Sequence, residues 1–339
     1  MSFSQGLSLV ILGICLYIFW QIRTVLLLAL AAVTFAVVLN RAVRLLQKKI
    51  PDRRVAVFLL TGGVALVAGS LGIIIIPPFI DQLQDLMGFA GEVIERSQTW
   101  ISNLGDLVPG FALQDLQSLE TIVGQLQALD LEMIFGHFLA WFSSTLTVAF
   151  NLLLVSIVII MVLLNPAAYR RLFLAIFPSS RQKQVSHVLD DCEEALAGWF
   201  IGILFNMTVI AITSMIGLWI LGIPLAFANG LLAGLLAFIP NLGPFISVLP
   251  PAAIALLEAP WKAIAVVVLY VVIQQIESNI LTPLVMKKQV SLLPAVTLLS
   301  QVIFAAFFGF LGLLLALPLT LIMQKWLDEF WVRGFLDQH

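Results

Sequence analysis

Residues 221–257 read LGIPLAFANGLLAGLLAFIPNLGPFISVLPPAAIALL, and this stretch decides the fold. It closes a 63-residue window, residues 195–257, that contains no Asp, Glu, Lys or Arg. Prolines and glycines divide it into two arms, residues 225–238 and 245–257, of about 21 Å each if helical. A bilayer core about 30 Å thick needs about 20 helical residues. The sequence therefore predicts a hairpin whose tip, residues 239–244, is buried in protein or lines a cavity.

A second apolar stretch repeats this pattern. Its two arms meet at Gly309 to Gly312, and Pro318 lies within the second arm. Pro224 precedes Gly243 by 19 residues, and Pro294 precedes Gly312 by 18. One span separates the two stretches, so they open toward opposite sides, as in the inverted repeats of transporters. We predict two re-entrant or broken helical hairpins, at about 225–257 and 294–325, although either could instead be two tilted full crossings.

The rest of the chain is equally apolar. Of 339 residues, 61% are hydrophobic and 11% are charged, whereas soluble domains average about 45–50% and about 25%. This composition leaves too little polar surface for a soluble globule. It predicts an all-α polytopic membrane protein with about six full spans, the two hairpins and an extramembrane amphipathic helical segment. The uncharged windows are residues 2–22, 24–40, 55–80, 138–169, 195–257, 263–276 and 290–324.

The N-terminal apolar run is longer than one bilayer crossing. It predicts two short helices, residues 7–22 and 25–39, that turn near Arg23. No basic region precedes the run and no small-residue cleavage pattern follows Trp20, so we do not expect a cleaved signal peptide.

The distribution of charge predicts the orientation. Residues 41–54 carry six basic residues and one acid, and positively charged loops stay in the cytoplasm. Residues 78–136 carry nine acids and one base, so they are expected outside. We therefore expect both termini in the cytoplasm. The three predicted regions are N-terminal membrane helices with a basic cytoplasmic loop (1–77), an extracytoplasmic helical segment (78–137) and a membrane transport region (138–339).

Amphipathic patterns outside the spans predict three further helices. Two lie in the outer segment, at residues 79–94 and 113–126, on either side of a break at residues 104–110 that contains a glycine and a proline. They form a cap, an assembly surface or simply helices packed on the membrane region. The third, residues 185–196, carries an acidic face that makes anchoring to anionic lipid unfavourable.

The densest polar cluster in any apolar span lies between the two hairpins. An ionisable side chain at membrane depth costs about 2.5–3.5 kcal/mol, so Glu277 is the first candidate for the transport pathway. Alternatively, Glu277 caps a helix or forms an ion pair near the cytoplasmic interface, because Lys287 follows ten residues later. For amides within apolar helices, hydrogen bonding between helices is the alternative role. The predicted pathway residues are Glu277, Gln274, Gln275, Asn279, Asn241, Gly243, Pro240, Pro244, Gly309, Gly312, Asn206 and Gln301.

Several functional classes are disfavoured. No zinc-protease, nucleophile-elbow or phosphate-loop motif occurs, and the three histidines are far apart in sequence. We therefore expect no enzyme activity, catalytic residue, metal site or cofactor, and any transport must draw on an ion gradient. A net charge of −2 provides no basic surplus for nucleic acid. The expected partners are the lipid bilayer and a small polar solute or cation.

Five motifs occur in order and carry a family resemblance. They are LGIP at 221–224, IPNLGP at 239–244, QIESN at 275–279 with TP at 282–283, LLP at 292–294, and GFLG at 309–312 ahead of LPL at 317–319. Together they resemble the autoinducer-2 exporter family of bacterial inner-membrane permeases, over nearly the whole chain. The resemblance implies transport by a homo-oligomer such as a pentamer. The family includes exporters of the quorum-sensing signal and members described as sodium/proton antiporters.

These observations predict a secondary transporter of the autoinducer-2 exporter type that exports a small polar solute. One alternative is a cation/proton antiporter, in which titration of Glu277 couples sodium to proton movement. The other is a scaffold that assembles membrane proteins without transporting anything. That alternative assigns the function to residues 80–135.

Overall fold

The chain is almost entirely helical. The computed structural model describes residues 14, 17, 18, 20–107, 145–240, 242–281 and 294–331, and none of these residues is in a β-strand. By length and composition alone, five helices among these residues qualify as membrane spans, and a sixth span results if one pair joined at a 90° bend is counted. The prediction of an all-α polytopic membrane protein is confirmed. The five are Arg23–Leu46, Arg53–Pro78, Ser179–Ile220, Pro260–Leu281 and Ala295–Trp331, and the bent pair is Phe150–Leu164 with Pro166–Ala175.

The chain divides into two compact units. Unit 1 comprises Met1–Val67, Ala149–Leu204 and Thr282–His339, and unit 2 comprises Ala68–Val148 and Phe205–Leu281. The first predicted hairpin and the Glu277 cluster belong to unit 2. The second hairpin belongs to unit 1.

Helix α1, Arg23–Leu46, follows a local break at Ile22, whose φ of −93° and ψ of 6° are not helical. Hydrogen bonds of helical type continue on both sides of Ile22, so the predicted turn near Arg23 stays a prediction. Most of the segment before it lies outside the described residues. Within unit 1, Leu27 and Ala31 of α1 form a buried cluster with Leu315 and Leu319, which joins α1 to the second hairpin.

Helix α2, Arg53–Leu107, is 55 residues long and continues through Pro77 and Pro78. The amphipathic helix predicted at residues 79–94 is thus its direct continuation. Each proline removes one hydrogen bond from the ladder, and two adjacent losses do not end this helix. The described part of the helix reaches Leu107, and the rest of the predicted break at residues 104–110 lies outside the described residues. The second amphipathic helix, 113–126, lies outside the described residues, as does the start of the predicted span at 138.

Helices α3, Thr145–Leu164, and α4, Pro166–Ala175, form the bent pair of unit 1. Pro166 occupies the first position of α4, where its missing N–H costs nothing. Arg53 binds the end of α3, because its Nε donates to the Leu163 carbonyl at 2.8 Å and its Nη2 donates to Asn40 Oδ1 at 2.6 Å. A cation at the carbonyl end of a helix is favourable, so Arg53 stabilises the bend.

Helix α5, Ser179–Ile220, is 42 residues long. It joins the amphipathic helix predicted at residues 185–196 to the span predicted at residues 200–221 without a break. Its charged first half pairs within unit 1: Arg170 donates to both carboxylate oxygens of Asp190, at 2.6 and 2.7 Å, and Arg44 pairs with Glu193. The apolar second half carries the side chains that form the candidate site in unit 2.

Candidate transport site

The first hairpin consists of short helices. They are α6, Ala226–Leu236, α7, Leu242–Ser247, and α8, Leu249–Glu258. Between α6 and α7, the backbone leaves the helical path over residues 237–240, and Asn241 lies outside the described residues. The non-helical residues 237–240 overlap the predicted tip at residues 239–244, but helix resumes at Leu242, before the predicted second arm. The side chain of Pro244 is also outside the described set.

Gly243 is the point at which the first hairpin folds back on itself. A Cβ atom added there would lie 2.0 Å from the carbonyl oxygen of Leu236. In a straight helix, residues seven apart are separated by about 10.5 Å along the axis. Only glycine permits the backbone to approach this closely, so the residue is required by the geometry of the tip.

The second hairpin lies within α10, Pro294–Leu327, and turns at Gly309. Gly309 has φ 64° and ψ −148°, a conformation that is essentially restricted to glycine. Three residues later, a Cβ on Gly312 would lie 2.1 Å from the carbonyl oxygen of Phe304. The predicted interruption at residues 309–312 is thus present in the structure. Gln301, in the first arm, is 3% exposed.

The candidate polar site of unit 2 is a buried pair of side chains. Helix α9, Pro260–Ile276, passes into a π-helical turn, Glu277–Leu281, and such turns are frequent at functional sites. Glu277 is 6% exposed, and Asn206 of α5 is 8% exposed. Asn206 Nδ2 donates to Glu277 Oε1 at 2.7 Å. The structure therefore joins two predicted pathway residues that are 71 positions apart in the chain.

The negative charge and one acceptor oxygen of this pair have no described partner. Among the described residues, the Glu277 carboxylate forms no salt bridge, and Asn206 Oδ1 is buried without a hydrogen-bond donor. A buried carboxylate without a cation is costly, and a buried unpaired acceptor adds about 1–3 kcal/mol. The pair thus presents oxygen atoms suited to a proton or a hard cation, which prefers oxygen ligands.

The neighbouring predicted residues lie on another side of the same helix. Gln275 and Asn279 are exposed and bond to each other, with Asn279 Nδ2 donating to Gln275 Oε1 at 3.0 Å. Ser278 Oγ donates to the Gln274 carbonyl at 2.7 Å. These side chains satisfy each other locally, whereas Glu277 faces α5.

Close helix packing surrounds the pair in unit 2. A Cβ on Gly230 would lie 2.7 Å from the backbone nitrogen of Met215, and one on Gly234 would lie 2.6 Å from the Met207 carbonyl oxygen. The small residues of α6 thus allow its backbone to lie directly against α5. This packing agrees with the role that small residues commonly have in membrane helices.

Sequence reasoning identified Asn206 and Glu277 separately but not as a pair. No sequence pattern connects them, because their contact depends on the antiparallel packing of α5 and α9. It also assigned no role to Ser214 and Tyr270, which are uncharged and therefore stand out little in an apolar span. The available signal was their spacing, since Ser214 lies eight residues after Asn206 and Tyr270 seven before Glu277.

Comparison with known proteins identifies the family. Residues 8–331 match the model of the AI-2E family transporter. The chain is 27% identical to YueF of Bacillus subtilis over 307 residues, which are 85% of this chain and 79% of that protein, and YueF is provisionally named as a transport protein. It is 34% identical over 110 residues, 32% of each chain, to the AI-2 transport protein TqsA of Escherichia coli. The predicted family resemblance is confirmed: this multi-pass membrane protein belongs to the AI-2E family of transporters.

Proposed function

We propose that the protein is a secondary transporter that exports a small polar solute, with Glu277 and Asn206 forming the station that binds the coupling proton or cation. The observation that supports this proposal most directly is the buried Glu277 carboxylate, which has an amide partner and no cation among the described residues. Binding of a proton or cation removes the cost of burying its charge. Binding of a proton or cation at Glu277 and Asn206 would thus change the stability of the surrounding helices.

The energy for transport comes from an ion gradient in this proposal. One elementary charge that crosses 100 mV supplies about 2.3 kcal/mol. This amount is similar to the cost of about 2.5–3.5 kcal/mol for placing an ionised side chain in a membrane helix. Binding or release of one proton or cation at a single carboxylate therefore changes the free energy on the same scale as the gradient supplies.

Autoinducer-2 is the first solute to test, because the relative TqsA is named as its transport protein. The proposed setting is the bacterial inner membrane, with both termini in the cytoplasm and the chain in a homo-oligomer such as a pentamer. The concentration of positive charge in residues 41–54 supports this orientation.

Flux of autoinducer-2 into proteoliposomes tests the proposal. The purified protein is reconstituted, and uptake is measured with and without a proton gradient. Glu277→Gln keeps the shape and the amide contact but removes the charge, and we expect at least a tenfold loss of gradient-driven flux. Glu258→Gln is the matched control, because Glu258 is an acid at a helix end that pairs with Lys262, and it should retain wild-type flux. Unchanged flux in Glu277→Gln contradicts the proposal.

A second candidate is a cation/proton antiporter, which the unpartnered Asn206 Oδ1 favours. An oxygen pair of this kind is suited to Na⁺ as well as to a proton. The same vesicles, loaded with a pH-sensitive dye and given a sodium gradient, distinguish the two functions. Sodium-driven proton movement without autoinducer-2 flux supports antiport. Autoinducer-2 flux that needs no sodium supports export.

A further inference from the structure

The packing of α5 against α9 in unit 2 has a fixed antiparallel register. The Asn206–Glu277 hydrogen bond of 2.7 Å marks one level. At another level, a Cβ on Gly217 would lie 2.5 Å from Leu269 Cδ2. Residues further along α5 therefore face residues further back along α9.

This register places a second polar level between those two contacts. On α5, Ser214 lies eight residues beyond Asn206, and on α9, Tyr270 lies seven before Glu277, which corresponds to about 12 and 10.5 Å along the two helices. Ser214 is 0% exposed and Tyr270 is 5% exposed. The hydroxyl groups of Tyr270 and Ser214 lie close enough to interact, but neither oxygen has a hydrogen-bond partner of normal geometry among the described residues.

Asn229 of α6 adjoins a residue that packs next to this level. Its neighbour Gly230 packs against the backbone of Met215, the residue that follows Ser214. Asn229 is 2% exposed, and its Nδ2 also has no described partner. Three uncharged polar groups from three neighbouring helices are thus buried without a described partner, which costs about 1–3 kcal/mol for each group. Native proteins leave few such groups without a bound partner.

An apolar level separates the two polar ones. Ile210 of α5 and Ile273 of α9 lie midway between them and belong to one buried cluster, with exposures of 1% and 6%. Charge at the Glu277 level is therefore kept away from the hydroxyl level. The two levels offer different chemistry, a carboxylate with an amide at one and neutral donors and acceptors at the other.

We infer that Ser214, Asn229 and Tyr270 form a separate, uncharged station for the transported solute, a neutral molecule rich in hydroxyl or carbonyl groups. The inference rests on the proposed transport function and divides its site in two. The Glu277 station binds the proton or cation, and the second station exchanges hydrogen bonds with the solute. Ile210 and Ile273 form the barrier that separates the solute from the cation.

Tyr270→Phe and Ser214→Ala test this assignment, since each removes a single hydroxyl. Binding of autoinducer-2 to the detergent-solubilised protein is measured by isothermal titration calorimetry, together with the apparent melting temperature without solute. We expect Kd to rise about tenfold in each variant, the effect of one lost hydrogen bond of about 1.4 kcal/mol. The melting temperature without solute should stay equal or rise, because an unsatisfied buried hydroxyl is removed. Tyr169→Phe, at an exposed tyrosine, is the control and should change neither value.

The outcomes separate this inference from the proposed function. Wild-type binding with unchanged Kd in Tyr270→Phe and Ser214→Ala overturns the second station and leaves the transporter proposal standing. A lower melting temperature without solute in both variants also overturns it, since the hydroxyls would then be bonded within the fold. If the wild-type protein neither binds nor transports autoinducer-2, the proposed solute is wrong, and the assignment of Ser214, Asn229 and Tyr270 as its binding site is rejected as well. Loss of binding in Tyr270→Phe with sodium-driven proton movement intact supports two separate stations.

Discussion

The two broken hairpins reach the same geometry by different means. In the hairpin of unit 2, Gly243 meets the Leu236 carbonyl seven residues earlier, and in the hairpin of unit 1, Gly312 meets the Phe304 carbonyl eight residues earlier. An added Cβ would lie 2.0 and 2.1 Å from these oxygens. In both hairpins the chain therefore turns so tightly that backbone contacts backbone, and a glycine lies at each contact.

The two hairpins differ in how the backbone turns. The second uses one residue, Gly309, with φ 64°. The first uses the non-helical residues 237–240, and its positive φ lies before the first arm, at Gly222 and Leu225, with φ 69° and 54°. Both hairpins thus require a close approach between backbone segments at a glycine. The backbone dihedral angles that produce the turn differ between them. Four substitutions separate steric from conformational cost, each measured as the free energy of unfolding in mixed detergent micelles.

The largest effect is expected at the shared contact. Gly243→Ala and Gly312→Ala each bring a methyl group into steric overlap with a backbone carbonyl. A backbone carbonyl cannot move aside as a flexible side chain does. We expect each to lose about 3 kcal/mol. Gly63→Ala, where no atom of the described part of the chain lies within 4 Å of the new Cβ, is the control and should be neutral or stabilise the helix. If only one of the two variants is destabilised, the two hairpins do not share the requirement for a glycine at the backbone contact.

Gly309→Ala should have a smaller effect. Among the described residues, no atom lies within 4 Å of an added Cβ at Gly309, so the expected cost is conformational. Forcing alanine into this region costs about 2 kcal/mol. The same unfolding titration, with Gly63→Ala again as reference, measures it. A loss as large as that of Gly312→Ala would show that the turn is sterically closed as well.

Leu225→Gly should change stability in the opposite direction. Leu225 is 47% exposed and adopts φ 54° and ψ 31° before α6, a strained conformation for a branched side chain. Glycine removes that strain but loses chain entropy and some packing, so we expect a net gain of about 0.5 kcal/mol. Leu235→Gly, at a residue of the same arm with 40% exposure, should lose about 1 kcal/mol. Equal losses in both variants would contradict the assignment of strain to Leu225.

The smallest effect is expected at the base of the first hairpin. Lys262 pairs with Glu258 across the turn that ends α8. Partly exposed ion pairs contribute about 0–1 kcal/mol, so Glu258→Gln should cost about 0.5 kcal/mol or less. The loss should disappear at high salt. A loss above that of Gly309→Ala would mean that charge, rather than backbone geometry, holds the first hairpin together.

Much of the architecture could be predicted because it depends on local chemistry. Runs of uncharged residues mark the spans, and the breaks at Gly243 and Gly309 were predicted because proline and glycine interrupt an apolar helix wherever they occur. The continuity of α2 through Pro77 and Pro78 was not predicted. Two adjacent prolines lower helix stability without ending the helix, and their effect depends on the surrounding packing.

The candidate site was predicted only in part. Glu277 was identified because an acid in an apolar helix is costly wherever it lies. Its partner Asn206 was one of several polar residues without an assigned contact, and Ser214 and Tyr270 drew no attention because hydroxyls are common in membrane helices. Their burial and lack of partners depend on which face of α5 meets α9. That arrangement is a long-range property of the fold.

The amino-acid sequence by itself determined the class of protein, the family and the positions of the two breaks, since hydropathy and the conformational limits of proline and glycine act within a few residues of chain. Tertiary structure alone decided that Glu277 meets Asn206 and that Ser214 faces Tyr270. The physical reason is that the register between two helices is set by the sum of many small packing contacts, such as Gly217 against Leu269. No single residue carries that information.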